Sequence, residues 1–187
     1  MKKNLPIIIL FFSSFIFGQE INLVLTPDGL IPNEKTENDF LVIDFPNKSK
    51  EDLFKESLIY FNSIYKSPKN VISKVENEII TINGFAGNSI RRNGMHVFDM
   101  DYNIVIKFKD NKLRIDLPTF KLTTFTDKRQ VLHIKWIKFS LDGSNLGIFG
   151  KKNKLKSKKA KADIENYYNS YLNKYIKSLK GNAKDDW

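Results

Sequence analysis

There is no cysteine in the 187 residues, and histidine occurs only as His96 and His133. The first absence excludes disulfides, thiolate nucleophiles, cysteine-bound zinc and a lipid-acceptor cysteine behind a leader. The second leaves no His-Glu-x-x-His pair. Gly-x-Ser-x-Gly is missing as well, so two common hydrolase signatures are absent. Glycine is sparse, at nine residues. The cluster Gly84-Phe85-Ala86-Gly87-Asn88 lies in strand-like sequence and opens no helix, so it is no phosphate-cradling loop. Beyond residue 17 no apolar run approaches the ~20 residues of a spanning helix. No cofactor motif and no metal-ligand set is present, and no catalytic residue is assigned.

What is present begins with an address. Lys2 and Lys3 precede an apolar run over 5–17, and Gly18 stands before polar sequence. That is the layout of a secretory signal peptide over 1–18, cut between Gly18 and Gln19. A periplasmic or secreted location is expected, with no membrane span once the leader is removed. The net charge is +10, and loss of Lys2 and Lys3 leaves +8. The excess is uneven. Lys151, Lys152, Lys154, Lys156, Lys158, Lys159 and Lys161 fall within 151–161 with no acid among them. Such a run is either a solvated linker or an attractor of acidic partners.

The strongest structural signal lies at 95–117. Phe98, Met100, Tyr102, Ile104, Ile106 and Phe108 alternate with polar or small neighbours, the period of a half-buried strand. Asp110-Asn111 supplies a two-residue turn. Phe108 then faces Leu113, Ile106 faces Ile115 and Ile104 faces Leu117, all on one face. Upstream, 19–38 reads as an extended arm, with Ile21, Leu23 and Leu25 alternating as for a short edge strand. A first strand is expected at 39–45. Ser49 is the expected cap of a helix whose stripe is Leu53, Phe54, Leu58, Phe61, Ile64 and Tyr65, stopped at Pro68. A hairpin over 70–82 turns at Glu76-Asn77, Gly84 and Gly87 mark a bulge, and Asn93-Gly94 marks a second hairpin turn. Pro118 belongs at an edge or a bulge. Less regular strands follow at 120–126 and 130–141, with a parity slip at Trp136-Ile137 and an end at Asp142-Gly143. Residues 146–150 read as a short apolar loop. The last helix starts between Ser157 and Asp163 and ends near Gly181, leaving a loose tail over 181–187. One domain over 39–180 is expected. Its class is α+β, a curved antiparallel β-meander sheet with helices packed on one face.

The helix KEDLFKESLIYFNSIYKS, the segment Ile82-Asn83-Gly84 and the turn Lys109-Asp110-Asn111-Lys112-Leu113-Arg114 resemble the domain of unknown function 4468 family over about 39–125. The resemblance implies a TBP-like fold, like that of the TATA-binding protein, and carries no activity or catalytic residues. The fold name implies no DNA partner for an exported chain.

The remaining candidates are polar. Asp99 and Asp101 share a strand face and His96 lies near them in sequence, the one cluster that acid–base work could use. A solvated sheet face is the stronger explanation, since they alternate with the buried face. Lys107 faces Arg114 and Lys109 faces Lys112 in the proposed hairpin, an unfavourable pairing that an anionic partner would relieve. Together with Arg91, Arg92, Lys151, Lys152, Lys158 and Lys159 they form the expected contact set for an envelope protein or an anionic surface component. Two alternatives stand beside this binding module: an enzyme of unrecognised type, and an assembly accessory docking through its terminal helix.

Overall fold

The computed structural model describes residues 20–34, 38–125, 129–136 and 145–181. The expected leader and its cleavage point, Ile137 of the parity slip, the turn at Asp142-Gly143 and the tail from 182 on lie outside them. The elements in order are β1 (Leu23–Thr26), β2 (Gly29–Pro32), β3 (Phe40–Asp44), α1 (Lys50–Ile64), one-turn α2 (Pro68–Val71), β4 (Ile72–Val75), β5 (Ile79–Arg91), β6 (Val97–Lys109), β7 (Lys112–Asp116), β8 (Thr119–Phe125), β9 (Arg129–Lys135), β10 (Asn145–Phe149) and α3 (Lys158–Leu179).

β6 is the axis of the main sheet. One edge pairs with β5 along its length, and the other is shared, β8 taking Asp99 to Asn103 and β7 taking Ile106 to Lys109. Between Ile115, opposite Ile106, and Thr119, opposite Asn103, the chain takes four steps against three. That extra residue is a bulge, and it falls at Pro118, which has no amide to offer a ladder. From there β7 turns its free edge to β3 and β8 turns its own to β9. The pairs Phe108–Leu113 and Ile106–Ile115 form as expected; Ile104–Leu117 does not, because Leu117 has left the ladder and donates to the Asp39 carbonyl.

The fold is α+β, but the sheet is mixed and not an antiparallel meander. β10 runs parallel to β9, where the sequence indicated only an apolar loop. The even-numbered residues of β6, from Phe98 to Phe108, are buried. Both long helices lie on that face. Phe54 of α1 meets Phe108 edge-on at 5.5 Å between centroids, and Tyr168 Oη of α3 reaches Met100 Sδ at 3.6 Å. α1 starts where Ser49 Oγ accepts from the Asp52 amide at 3.1 Å, and it ends at Ile64, before Pro68. α3 starts where Ser157 Oγ accepts from the Ala160 amide at 3.2 Å, and Gly181 follows it with φ at +76°.

Residues 20–34 are not an extended arm. β1 and β2 pair as a hairpin, and Ile21, Leu23, Leu25 and Leu30 are buried in the core. The outer edge of β1 bonds to side chains rather than to a strand. The amides of Ile21, Leu23 and Leu25 donate to Asn173 Oδ1, Asn169 Oδ1 and Glu165 Oε1 at 2.8, 2.7 and 2.7 Å. Asn169 and Asn173 return bonds to the Leu23 and Ile21 carbonyls at 3.1 and 2.7 Å. Two residues of strand advance about 6.8 Å and four residues of helix about 6 Å, so the two spacings stay in step over three rungs.

A candidate anion-binding groove

The lysine-rich stretch after β10 is not a loose linker. It folds back over its own strand. Lys156 and Ser157 amides donate to the Ile148 carbonyl at 2.8 and 3.2 Å, Gly150 donates to Lys154 at 2.8 Å, and Leu155 bridges Phe149. The 3-10 turn Lys151–Asn153 requires left-handed backbone at Lys152 and Asn153, with φ of 54° and 59°. For a lysine that conformation costs roughly 1 kcal/mol. Ser157 Oγ also donates to the Arg92 carbonyl at 2.6 Å, tying the β5–β6 turn to the start of α3.

These contacts bring Arg92, Lys151, Lys154 and Lys156 together in the lining of one open groove of about 540 Å³, which Trp136, Leu146, Gly147 and Gly150 share. The Trp136 amide extends the parallel ladder by one bond, to the Phe149 carbonyl at 2.8 Å, which fixes the base of the indole. Gly147 has no alternative: a Cβ there would lie 2.7 Å from both the Phe149 carbonyl oxygen and Trp136 Cβ. The ammonium of Lys151 stands 5.3 Å from the indole ring centroid. Among the described residues no acidic side chain lines this groove. The first turn of α3 beside it carries no acid and instead Lys158 and Lys159, although a helix N-terminus favours negative charge. Among the described residues, neither the groove lining nor the first turn of α3 offers an acid to cancel this positive charge.

The other expected contacts have different roles. Arg91 is engaged inside the chain. Its Nε and Nη2 donate to the Asp163 carboxylate at 2.9 and 2.6 Å, and its amide adds a third bond at 2.8 Å. Those hydrogen bonds hold the Asp163 carboxyl below its usual range, against the opposing effect of burial. Lys107 and Arg114 do face each other, but Asp116 sits between them and accepts from both, at 2.9 and 2.6 Å. Burial pushes the Asp116 carboxyl up, and the two donors more than offset that and hold it low. Arg114 also lies over the Phe40 ring at 3.8 Å. The repulsion read from the sequence is thus relieved within the chain, and no partner is needed for it. Lys109 and Lys112 stay opposite each other at the exposed turn, in a depression shared with Lys50, Glu78 and Asp110. Lys152, Lys158 and Lys159 are exposed. Of the ten expected residues, only Arg92 and Lys151 line the groove. Lys154, Lys156 and Trp136 were missed. The two lysines lay within the basic run, but nothing in the sequence marked Trp136.

The acid–base cluster does not assemble. Asp99 Oδ1 accepts from the Asn88 amide at 2.7 Å, satisfying the bulge that separates the Ala86–Met100 and Ile90–Phe98 pairs. His96 belongs to the preceding turn, whose Asn93 Oδ1 accepts from the Met95 and His96 amides, so Asn93-Gly94 forms a longer loop than a two-residue hairpin turn. No group of three His, Asp or Glu side chains is positioned to hold a metal among the described residues. The apolar stripe of α3, from Ile164 to Leu179, is core, and no helix among the described residues is long and apolar enough to cross a membrane.

The segments that carried the family resemblance prove to be structural. Asp110 Oδ1 accepts from the Lys50 amide at 3.0 Å, and Asn111 Oδ1 accepts from the Asn47 amide at 2.9 Å, so the β6–β7 turn clasps the start of α1. Asn83 bonds Asn103 at 2.8 Å, and Gly84 lies under the Tyr102 ring.

Residues 40–123 match the family model described as "Domain of unknown function (DUF4468) with TBP-like fold". A TBP-like protein from Parabacteroides distasonis is similar in structure, with a TM-score of 0.54 and 14% identity over 79% of this chain and 97% of that one. A DUF4468 family protein from Bacteroides ovatus gives a TM-score of 0.49 and 15% identity over 79% and 87%. At such identity the first likeness shows a common fold and nothing of function. No curated protein matches the chain.

Proposed function

We propose that this chain, with a DUF4468 domain at its centre, is an exported, non-catalytic module of the cell envelope that holds an anionic partner in the groove beside Trp136. The observation that carries this reading is the convergence of Arg92, Lys151, Lys154 and Lys156 on one concavity with no acid in its described lining. Concave walls of low dielectric focus such a field and raise the local concentration of counter-ions. Export supplies the compartment: the leader-like start of the sequence points to the envelope, where anionic glycans and lipid headgroups are exposed.

Elution from a heparin column tests the site against bulk charge. The variant Arg92→Ala/Lys154→Ala/Lys156→Ala is expected to elute at clearly lower salt than the wild type. A control with the same loss of charge, Lys107→Ala/Lys109→Ala/Lys112→Ala, is expected to elute close to the wild type. Equal losses in the two variants would mean that net charge, and not the groove, binds the anion.

A further inference from the structure

The groove joins two recognition chemistries at one point. Four cations are placed for an anion. Trp136 lines the same groove, and the Lys151 ammonium stands over its ring, 5.3 Å from the centroid, so an anion held by that ammonium lies beside the ring. Gly147 and Gly150 also line it, and a Cβ at either would collide with Phe149 and Trp136 in one case and with Lys156 in the other, so glycine there lets the wall pack closely on itself. A volume of about 540 Å³ suits a discrete ligand, since small-molecule sites run from about 300 to 1,000 Å³. A simple anion would use the cations alone. A neutral sugar would use the indole and leave four cations unanswered.

We infer that the groove's ligand is a phosphorylated sugar, its ring laid against Trp136 and its phosphate held by Arg92 and Lys151. This rests on the reading of the groove as the anion site. Arginine pairs with phosphate oxygens in a fork, and lysine adds a mobile point charge. The alternation of sugar hydroxyls and C–H faces matches a groove that sets cations beside an aromatic side chain. Free sugar phosphates and phosphorylated envelope glycans present the same chemistry.

Titration of the ¹⁵N-labelled protein, followed by NMR at low salt, tests this with glucose 1-phosphate, glucose, inorganic phosphate and adenosine 5′-monophosphate. Glucose 1-phosphate is expected to bind about tenfold tighter than inorganic phosphate, the gain from burying one C–H face of the sugar against the indole. Trp136→Ala should erase that gain and bring glucose 1-phosphate to the affinity of inorganic phosphate measured on the same variant, and Trp136→Phe should keep most of it. Trp136→Leu, which retains apolar bulk without a flat face, replaces the alanine variant if thermal melts show that one unfolded. Equal affinity for glucose 1-phosphate and inorganic phosphate would overturn the sugar while leaving the anion site standing. Tighter binding of adenosine 5′-monophosphate would overturn it in favour of a base. Absence of any anion binding, or binding that survives Arg92→Ala unchanged, would overturn both readings together. If the sugar phosphate binds, shifts produced by a phosphorylated glycan from the host envelope at the same amides would identify the polymer as the source.

Discussion

Gly84 lies so close under Tyr102 that a Cβ there would sit 2.1 Å from the ring's Cζ. Gly84→Ala forces the ring out of a packed face, and the expected loss is roughly 1–3 kcal/mol of unfolding free energy by urea denaturation. Combined with Tyr102→Ala, the added cost of the alanine should largely vanish, because the clash has lost its partner. Asp163 gives a prediction with a sign in pH. Its carboxyl is held below its unfolded value, chiefly by the Arg91 hydrogen bonds. The stabilisation is therefore full above the unfolded carboxylate pKa, about 3.9, and is lost as pH falls through the lower folded value. Asp163→Asn should be less stable than the wild type at pH 7, and the gap measured by denaturant midpoint should close in acid below about pH 4. A gap that persists unchanged at pH 2 would mean that the carboxylate charge was not responsible. The indole of Trp136 belongs to the same scale and shows why a site can be silent in sequence. Its neighbours Leu146, Gly147 and Lys151 follow ten or more positions later, and only the parallel ladder brings them beside it.

Elements set by local patterns were legible. The period of two in β6, the Asp110-Asn111 turn with φ of +64° at Asn111, and the cap Ser49 all stand where short-range chemistry placed them, and α3 starts within the stretch expected for it. The elements misread were those whose partners lie far away. β10 is a five-residue parallel strand, and its pairing carries no turn signal. The β1–β2 hairpin is held by Glu165, Asn169 and Asn173, which lie 140 to 152 positions downstream and in sequence look like the solvated side of an amphipathic helix. The ladder gives the prediction at this scale. Asn169→Ala/Asn173→Ala removes four hydrogen bonds to the β1 backbone, at about 0.5–1.5 kcal/mol each. Amide exchange at Ile21 and Leu23 should accelerate strongly, while the β5–β6 ladder keeps its protection. Equal acceleration in both would mean that the hairpin and the sheet open as one unit. Glu165→Gln should be milder, because an amide oxygen still accepts from the Leu25 amide.

Among the described residues, the core packs on one face of β6, and four cations line a groove that carries no acid. The family motifs hold the first part together. They lie within 40–123, whereas the groove is built mainly from Trp136 and the segment 146–156, with Arg92 alone drawn from the matched region. Family resemblance could thus indicate the fold without indicating the site. A groove of this kind should also be sensitive to ionic strength, since exposed charges are screened beyond about 8 Å at physiological salt. Fractionation of the native host at low and high salt tests export and that groove together, with wild type and the Arg92→Ala/Lys154→Ala/Lys156→Ala variant side by side. A mature N-terminus at Gln19 is expected by mass spectrometry, with wild type retained on the envelope at low salt and released at high salt, and the variant already free at low salt. An intact Met1 in the cytosolic fraction, or wild type and variant partitioning alike at every salt concentration, would contradict this reading.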